Sequence, residues 1–181
     1  MSFGIVTGSR EPPDTCPPGS VLHRMLRDVE CASAHASHER HRAIASALAP
    51  YLGMRDLLAD AGCRCSPDRY TRNLLAEGDD YSVLALLWQP GQMSPVHAHR
   101  TWCVFGIHCG VMTEVCFAQT EAGAVPVACA ARRPGEVRHD AAGSGAIHRL
   151  ANLGTEVAVS VHVYAARFAR LGEDVNLVLA A

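Results

Sequence analysis

The feature that most constrains this chain is a change of pattern at Pro67. After it come seven short runs rich in β-branched and aromatic residues: 81–88, 96–107, 111–118, 125–129, 145–150, 157–164 and 175–179. Gly, Pro and Asp separate them. Before Pro67 the spacing is helical: Val21, Leu22, Met25, Leu26 and Val29, then Ile44, Ala47 and Leu48, predict helix from Ser20 to about Ala49. Pro50 breaks that pattern, and 51–61 is expected to form a further short helix stopped by Gly62. Residues 1–19, rich in Gly, Pro, Ser and Asp, are expected to form an irregular arm. Helices followed by many short strands predict a mainly β fold, a barrel or jelly roll with an N-terminal helical cap. The cap and arm take residues 1–66 and the barrel 67–181, in one structural domain, which suits a chain of 181 residues.

Composition removes several classes of function. Apolar residues make up 49% and charged residues 19%, a globular balance rather than a disordered one. With a net charge of −2 there is no electrostatic pull toward nucleic acid. All sixteen basic residues are Arg, so Schiff-base and pyridoxal chemistry and the lysine-dependent phosphate loop are excluded. No apolar run approaches the ~18 residues of a membrane span, and the N-terminus does not read as a secretion signal. The expected compartment is the reducing cytoplasm, where the eight cysteines are mostly free thiols. Cys63-Arg-Cys65 has no second pair at zinc-finger spacing and is a weak metal signal.

The ten histidines carry the argument. His35, His38 and His41 are spaced by three within a stretch of Ala, Ser, Glu and Arg, and are expected to form a solvated helix face. His97 and His99 are different. They alternate along a predicted strand and so project from one face, as do Thr101 and Cys103 if the strand stays regular. Two imidazoles so placed inside a barrel form a natural chelate for a transition metal. His148 lies three residues after Gly145 and four before Asn152. In 157–164 the valines at 157, 159, 161 and 163 share one face, while Ala158, Ser160, His162 and Tyr164 share the other. Polar groups on an inward face need hydrogen-bond partners, and an ordered Ser–His–Tyr relay provides them. A serine hydrolase triad is excluded, because no nucleophile elbow and no acidic partner accompany it.

Gly91, His97, His99 and Gly110, with Gly145, His148 and Asn152, resemble the two motifs of the cupin superfamily, whose fold is a double-stranded β-helix. Cys103 stands at the first motif's glutamate position, and Gly143 at the second motif's proline position. Without the glutamate, His97, His99 and His148 form a neutral ligand set. The metal keeps its positive charge and open positions for an anionic donor and dioxygen. A structural zinc closed by the Cys103 thiolate is the competing reading.

From about residue 70 to 168 the chain resembles the thiol dioxygenases typified by cysteine dioxygenase. The resemblance implies that Arg72, in Tyr70-Thr-Arg-Asn-Leu74, holds the substrate carboxylate, with Tyr70 and Trp88 beside it. It also implies that Ser160, His162 and Tyr164 form the family's relay near the metal, and that Cys103 stands where mammalian members carry a tyrosine-linked cysteine. The function implied is oxidation of a small thiol acid, cysteine by preference, to a sulfinic acid by dioxygen at iron(II), with no organic cofactor. The chain departs from the family at Ala98, where Asp is usual, and carries Arg100 beside the ligands. An inward Arg100 would hold a second carboxylate, whereas alternation turns it outward. Alternative readings are a 3-mercaptopropionate or mercaptosuccinate dioxygenase, a non-catalytic metal-binding cupin, and a cupin sugar isomerase.

Overall fold

A computed structural model describes residues 16–142 and 145–179. Most of the expected arm, and Gly143, lie outside the described residues. The helical stretch expected over 20–49 is two helices. Helix α1 (Val21–Ser33) begins at Ser20, whose hydroxyl accepts the His23 N–H at 3.0 Å. The chain turns extended at Ala36 and enters α2 (Ser37–Leu48), folding back so that both inward faces share one apolar cluster. The helix expected over 51–61 is absent. Pro50 opens a single 3-10 turn (Ala49–Tyr51), and Gly53 then takes φ +84°, a left-handed conformation that ends helical winding.

The barrel contains ten strands among the described residues: β1 (Thr71–Glu77), β2 (Ser82–Trp88), β3 (His97–His99), β4 (Cys103–Cys109), β5 (Met112–Thr120), β6 (Gly123–Arg132), β7 (Val137–Asp140), β8 (Ile147–Ala151), β9 (Ala158–Tyr164) and β10 (Asn176–Val178). They form two antiparallel sheets with the orders β1-β2-β9-β4-β7 and β10-β3-β8-β5-β6. This is the capped double-stranded β-helix that the sequence predicts. Two strands, β1 and β7, were not expected. The run 96–107 is not one strand: the chain leaves the second sheet after His99 and enters the first at Cys103. Alternation therefore does not carry across Arg100–Trp102, and Cys103 faces inward from the opposite sheet.

Burial follows strand parity. Leu84, Leu86, Phe105, Ile107, Met112 and Leu150 fill the space between the sheets. On the outer side of the first sheet, Val83, Ala85, Val104, Val161 and Val163 pack against Met25, Val29, Ile44 and Leu48 of the cap. Each fully buried aliphatic side chain of this kind contributes about 1.5–3 kcal/mol. His41 corrects the solvated-face expectation: it is 6% exposed, its ring 5.1 Å from that of His139, whereas His35 and His38 are exposed. The inward stripe of α2 runs through 41, 44, 45 and 48, which a helix places on one side. No helix among the described residues is long and apolar enough to cross a membrane.

The glycines and asparagine of the two motifs act as scaffold. Gly91 (φ +82°) donates its N–H to Asn152 O at 2.8 Å. Asn152 is buried and donates its amide to Trp88 O and Glu156 O, both at 2.8 Å, which ties β2 to the loop between β8 and β9. Gly110 (φ +73°) turns β4 into β5, where a Cβ would meet Ala158 at 2.9 Å.

Candidate metal centre

The second sheet presents His97 and His99 from β3 and His148 from β8, with His97 directly opposite His148 in the antiparallel register. Their ring centroids are 4.9, 4.7 and 5.1 Å apart, and one nitrogen from each lies within 4.8 Å of the others. All three rings are buried. Burial is the main cause that lowers His97 to about 3 and His99 to about 2, with neighbouring imidazoles adding to it, so both are neutral at physiological pH. His97 Nδ1–H donates to Pro95 O at 3.0 Å, and His148 Nδ1–H donates to Glu114 Oε1 at 2.9 Å. His148 Nε2 and both nitrogens of His99 are buried without any partner. Buried nitrogens left bare are costly unless something occupies the space between them. Neutral imidazoles with free lone pairs suit iron, zinc, copper or nickel, so the residues fit a metal. Among the described residues this cluster contains only the three histidines, and Cys103 is not part of it.

Beside the cluster lies a small pocket lined by Tyr70, Arg72, Leu86, Trp88, Ser94, Pro95, Leu150, His162 and Tyr164 as well as the three histidines. Arg72 projects from β1, opposite Leu86. Its Nη2 donates to Tyr70 Oη at 3.2 Å, while its Nε is buried and unpartnered. The Tyr70 ring stacks on Trp88, with centroids 4.1 Å apart. Glu77, an obvious surface partner for Arg72, is held instead by Arg167. Arg100, just past the end of β3, is exposed and does not line the pocket.

The inward face of β9 completes the wall. The Trp88 indole N–H can only donate, so Ser160 Oγ accepts it at 2.9 Å and turns its own hydrogen to His162 Nε2 at 2.9 Å. Burial foremost, then nearby imidazoles and Arg72, hold His162 well below its usual value. Neutral His162 therefore keeps its proton on Nδ1 and donates it to Tyr164 Oη at 2.9 Å. The Tyr164 hydroxyl hydrogen is left for whatever enters the pocket, and burial raises this phenol well above its ordinary value, so it stays protonated. Ser160 stands behind the relay and does not line the pocket. Cys103 lies opposite Tyr164 in register, buried, its thiol pushed up by desolvation and then by Asp140.

Sequence reasoning missed Glu114. Burial alone would raise its carboxyl, but the hydrogen bonds from His148 and Arg132 hold it below the usual carboxylate range. The available signal was its parity: Met112 and Glu114 share the inward face of β5, where a carboxylate demands partners.

The chain is similar to several solved structures. One is an uncharacterized conserved protein with a double-stranded β-helix domain from Klebsiella pneumoniae (22% identity, 59% of this chain and 84% of that chain, TM-score 0.44). Another is a protein of Thermus thermophilus (23% identity, 64% and 99%, TM-score 0.47). A third is an oxalate oxidase (19% identity, 63% and 62%, TM-score 0.47). A family model, cysteine dioxygenase type I, matches residues 62–172, a span that takes in the three histidines, Arg72 and the β9 relay. Since that match covers more than half of the chain, the protein belongs to the cysteine dioxygenase type I family.

Proposed function

We propose that the protein is a mononuclear iron(II) thiol dioxygenase that converts a small thiol acid, cysteine by preference, to its sulfinic acid. The reaction is R–SH + O2 → R–SO2⁻ + H⁺; both oxygen atoms end on sulfur and no external reductant is consumed. The observation that carries this reading is the shared pocket: three buried histidines, with bare nitrogens on His99 and His148, face a space that also holds the Arg72 guanidinium and a protonated phenol. A storage or purely structural metal site has no use for the latter two. Iron held by His97, His99 and His148 would supply the redox chemistry that lets dioxygen react with a thiolate. Arg72 binds the substrate carboxylate through its free Nε side, while Tyr70 holds the other edge of the fork. Tyr164 donates its hydroxyl hydrogen toward the reacting oxygen or sulfur, and Ser160, His162 and Trp88 keep that hydrogen pointed into the pocket. The apolar walls Leu86 and Leu150 limit water around the reacting groups. In this reading residues 1–66 and 67–181 act as one domain, the helical cap α1 and α2 bracing the barrel from outside, and the setting is the cytoplasm.

One observation favours a second substrate. Among the described residues no carboxylate lines the pocket, so the ammonium of cysteine finds no anionic partner among them. 3-Mercaptopropionate keeps the thiol and carboxylate and lacks that ammonium. Mercaptosuccinate fits less well, because the exposed Arg100 offers nothing to a second carboxylate. Elemental analysis together with oxygen uptake on cysteine, 3-mercaptopropionate, mercaptosuccinate and cysteamine tests the proposal. Iron with sulfinate formation from a thiol acid supports it; zinc in place of iron, with no uptake on any thiol, overturns it.

A further inference from the structure

Among the described residues Glu114 is the only buried carboxylate, 4% exposed. It projects inward from β5 and spends each oxygen on a different side of the molecule. Oε1 accepts from His148 Nδ1 at 2.9 Å. Oε2 accepts from Arg132 Nε at 2.8 Å, with Arg138 Nε at 4.0 Å. Arg132 belongs to β6 and Arg138 to β7, the edge strands of the two sheets, so the carboxylate sits where the sandwich closes. An ion pair buried only for stability is often matched by apolar residues of the same volume, so stability alone is a weak reason for it. Its contact with His148 supplies a stronger one. A neutral imidazole has one proton, and a carboxylate can only accept it; the proton is therefore pinned to Nδ1, and the lone pair of Nε2 is left beside His97 and His99.

The three histidines differ in this respect. His97 leans on a neutral carbonyl, His99 has no partner at either nitrogen, and His148 alone has an anionic one. We propose that Glu114 is a positioning residue for the metal centre, holding His148 in the Nδ1–H tautomer with Nε2 turned to the metal and making that imidazole the most electron-rich of the three ligands. This rests on the reading that His97, His99 and His148 bind a metal.

The test uses zinc affinity of the metal-free protein, by competition with a chelator, for wild type, Glu114→Gln, Glu114→Ala and His148→Ala. It adds the imidazole ¹⁵N–¹H spectrum of metal-free wild type and Glu114→Gln. Glu114→Ala should weaken zinc binding about 10- to 100-fold, and Glu114→Gln, which keeps an acceptor without the charge, by less. His148 should report the Nδ1–H tautomer in wild type and a mixture in Glu114→Gln, a signature that a merely structural carboxylate would not produce. If Glu114→Ala does not fold, the isosteric Gln variant and the wild-type spectrum decide. Zinc affinity within about twofold of wild type in the folded Glu114 variants, or an Nε2–H tautomer in wild type, overturns the proposal alone. Undiminished zinc binding in His148→Ala overturns the metal site itself.

Discussion

Replacing Arg72 by alanine separates recognition of the carboxylate from the oxidation chemistry. Of the Arg72 donors, Nη2 is occupied by Tyr70 at 3.2 Å, while Nε is buried and has no partner. A carboxylate arriving beside it gains one or two charge-assisted hydrogen bonds, each of about 1.5–3 kcal/mol, in a place where water cannot substitute. Removing the guanidinium should therefore cost roughly 2–4 kcal/mol of transition-state stabilisation, or about 30- to 900-fold in kcat/KM for cysteine or 3-mercaptopropionate. Tyr70 keeps its stack on Trp88, so the pocket wall should survive. Arg72→Lys should recover only part of the loss, since an ammonium carries the charge but not the planar fork. The assay is oxygen uptake with each thiol acid and with cysteamine, which has no carboxylate, alongside a thermal melt. Cysteamine turnover should be nearly indifferent to the change. Equal losses for cysteine and cysteamine would refute the reasoning and leave Arg72 as a support of the pocket.

Three further expectations follow from the metal centre and its surroundings. His97→Ala, His99→Ala and His148→Ala should each purify without iron by elemental analysis, because among the described residues no fourth protein ligand stands by to compensate; normal iron in any one removes that residue from the site. Cys103 and Tyr164, opposite one another on β4 and β9, should form a thioether in part of the population during turnover, two electrons and two protons passing to dioxygen. Intact mass and peptide mapping should then show two hydrogens missing, and unmodified peptides alone after turnover would make Cys103 a small core thiol. In the metal-free protein, burial holds His97 to about 3 and His99 to about 2, against 6.5 for an ordinary imidazole. The unfolded chain thus binds more protons below pH 6.5, and stability should fall as pH drops from there toward 3, by on the order of 1 kcal/mol per pH unit for each group that stays uncharged. Urea midpoints measured between pH 7 and 4 check this, and a flat profile contradicts it.

The parts of the fold that sequence made legible are those where strand parity and chemistry coincide. His97 and His99, and Ser160, His162 and Tyr164, alternate within single uninterrupted strands, so their shared face could be read directly. His148 was legible through its spacing from Gly145 and Asn152. Where the backbone changes sheet, parity fails: the crossover at Arg100–Trp102 made one expected strand into two and gave Cys103 a different wall. β1 escaped notice because Thr-Arg-Asn-Leu-Leu-Ala-Glu has neither clean alternation nor a solid apolar run, and most of its residues are only half-buried. β7, with four residues and two of them charged, pairs at a sheet edge through its backbone. His41 and Glu114 show the remaining limit, since the identity of a buried polar residue does not reveal the distant partner that makes its burial tolerable.

Strand β9 lies between β2 and β4, with the helical cap against one face and the pocket against the other. Val161 and Val163 fasten it to the cap, while Ser160, His162 and Tyr164 furnish the pocket wall. Fold and chemistry are thus written on the same seven residues in alternating positions, and the two can vary independently. Substitution at Val161 and Val163 should shift the melting temperature, and at His162 and Tyr164 the turnover. A lineage of such chains can therefore change its substrate from the even face while the odd face keeps the barrel anchored to its cap.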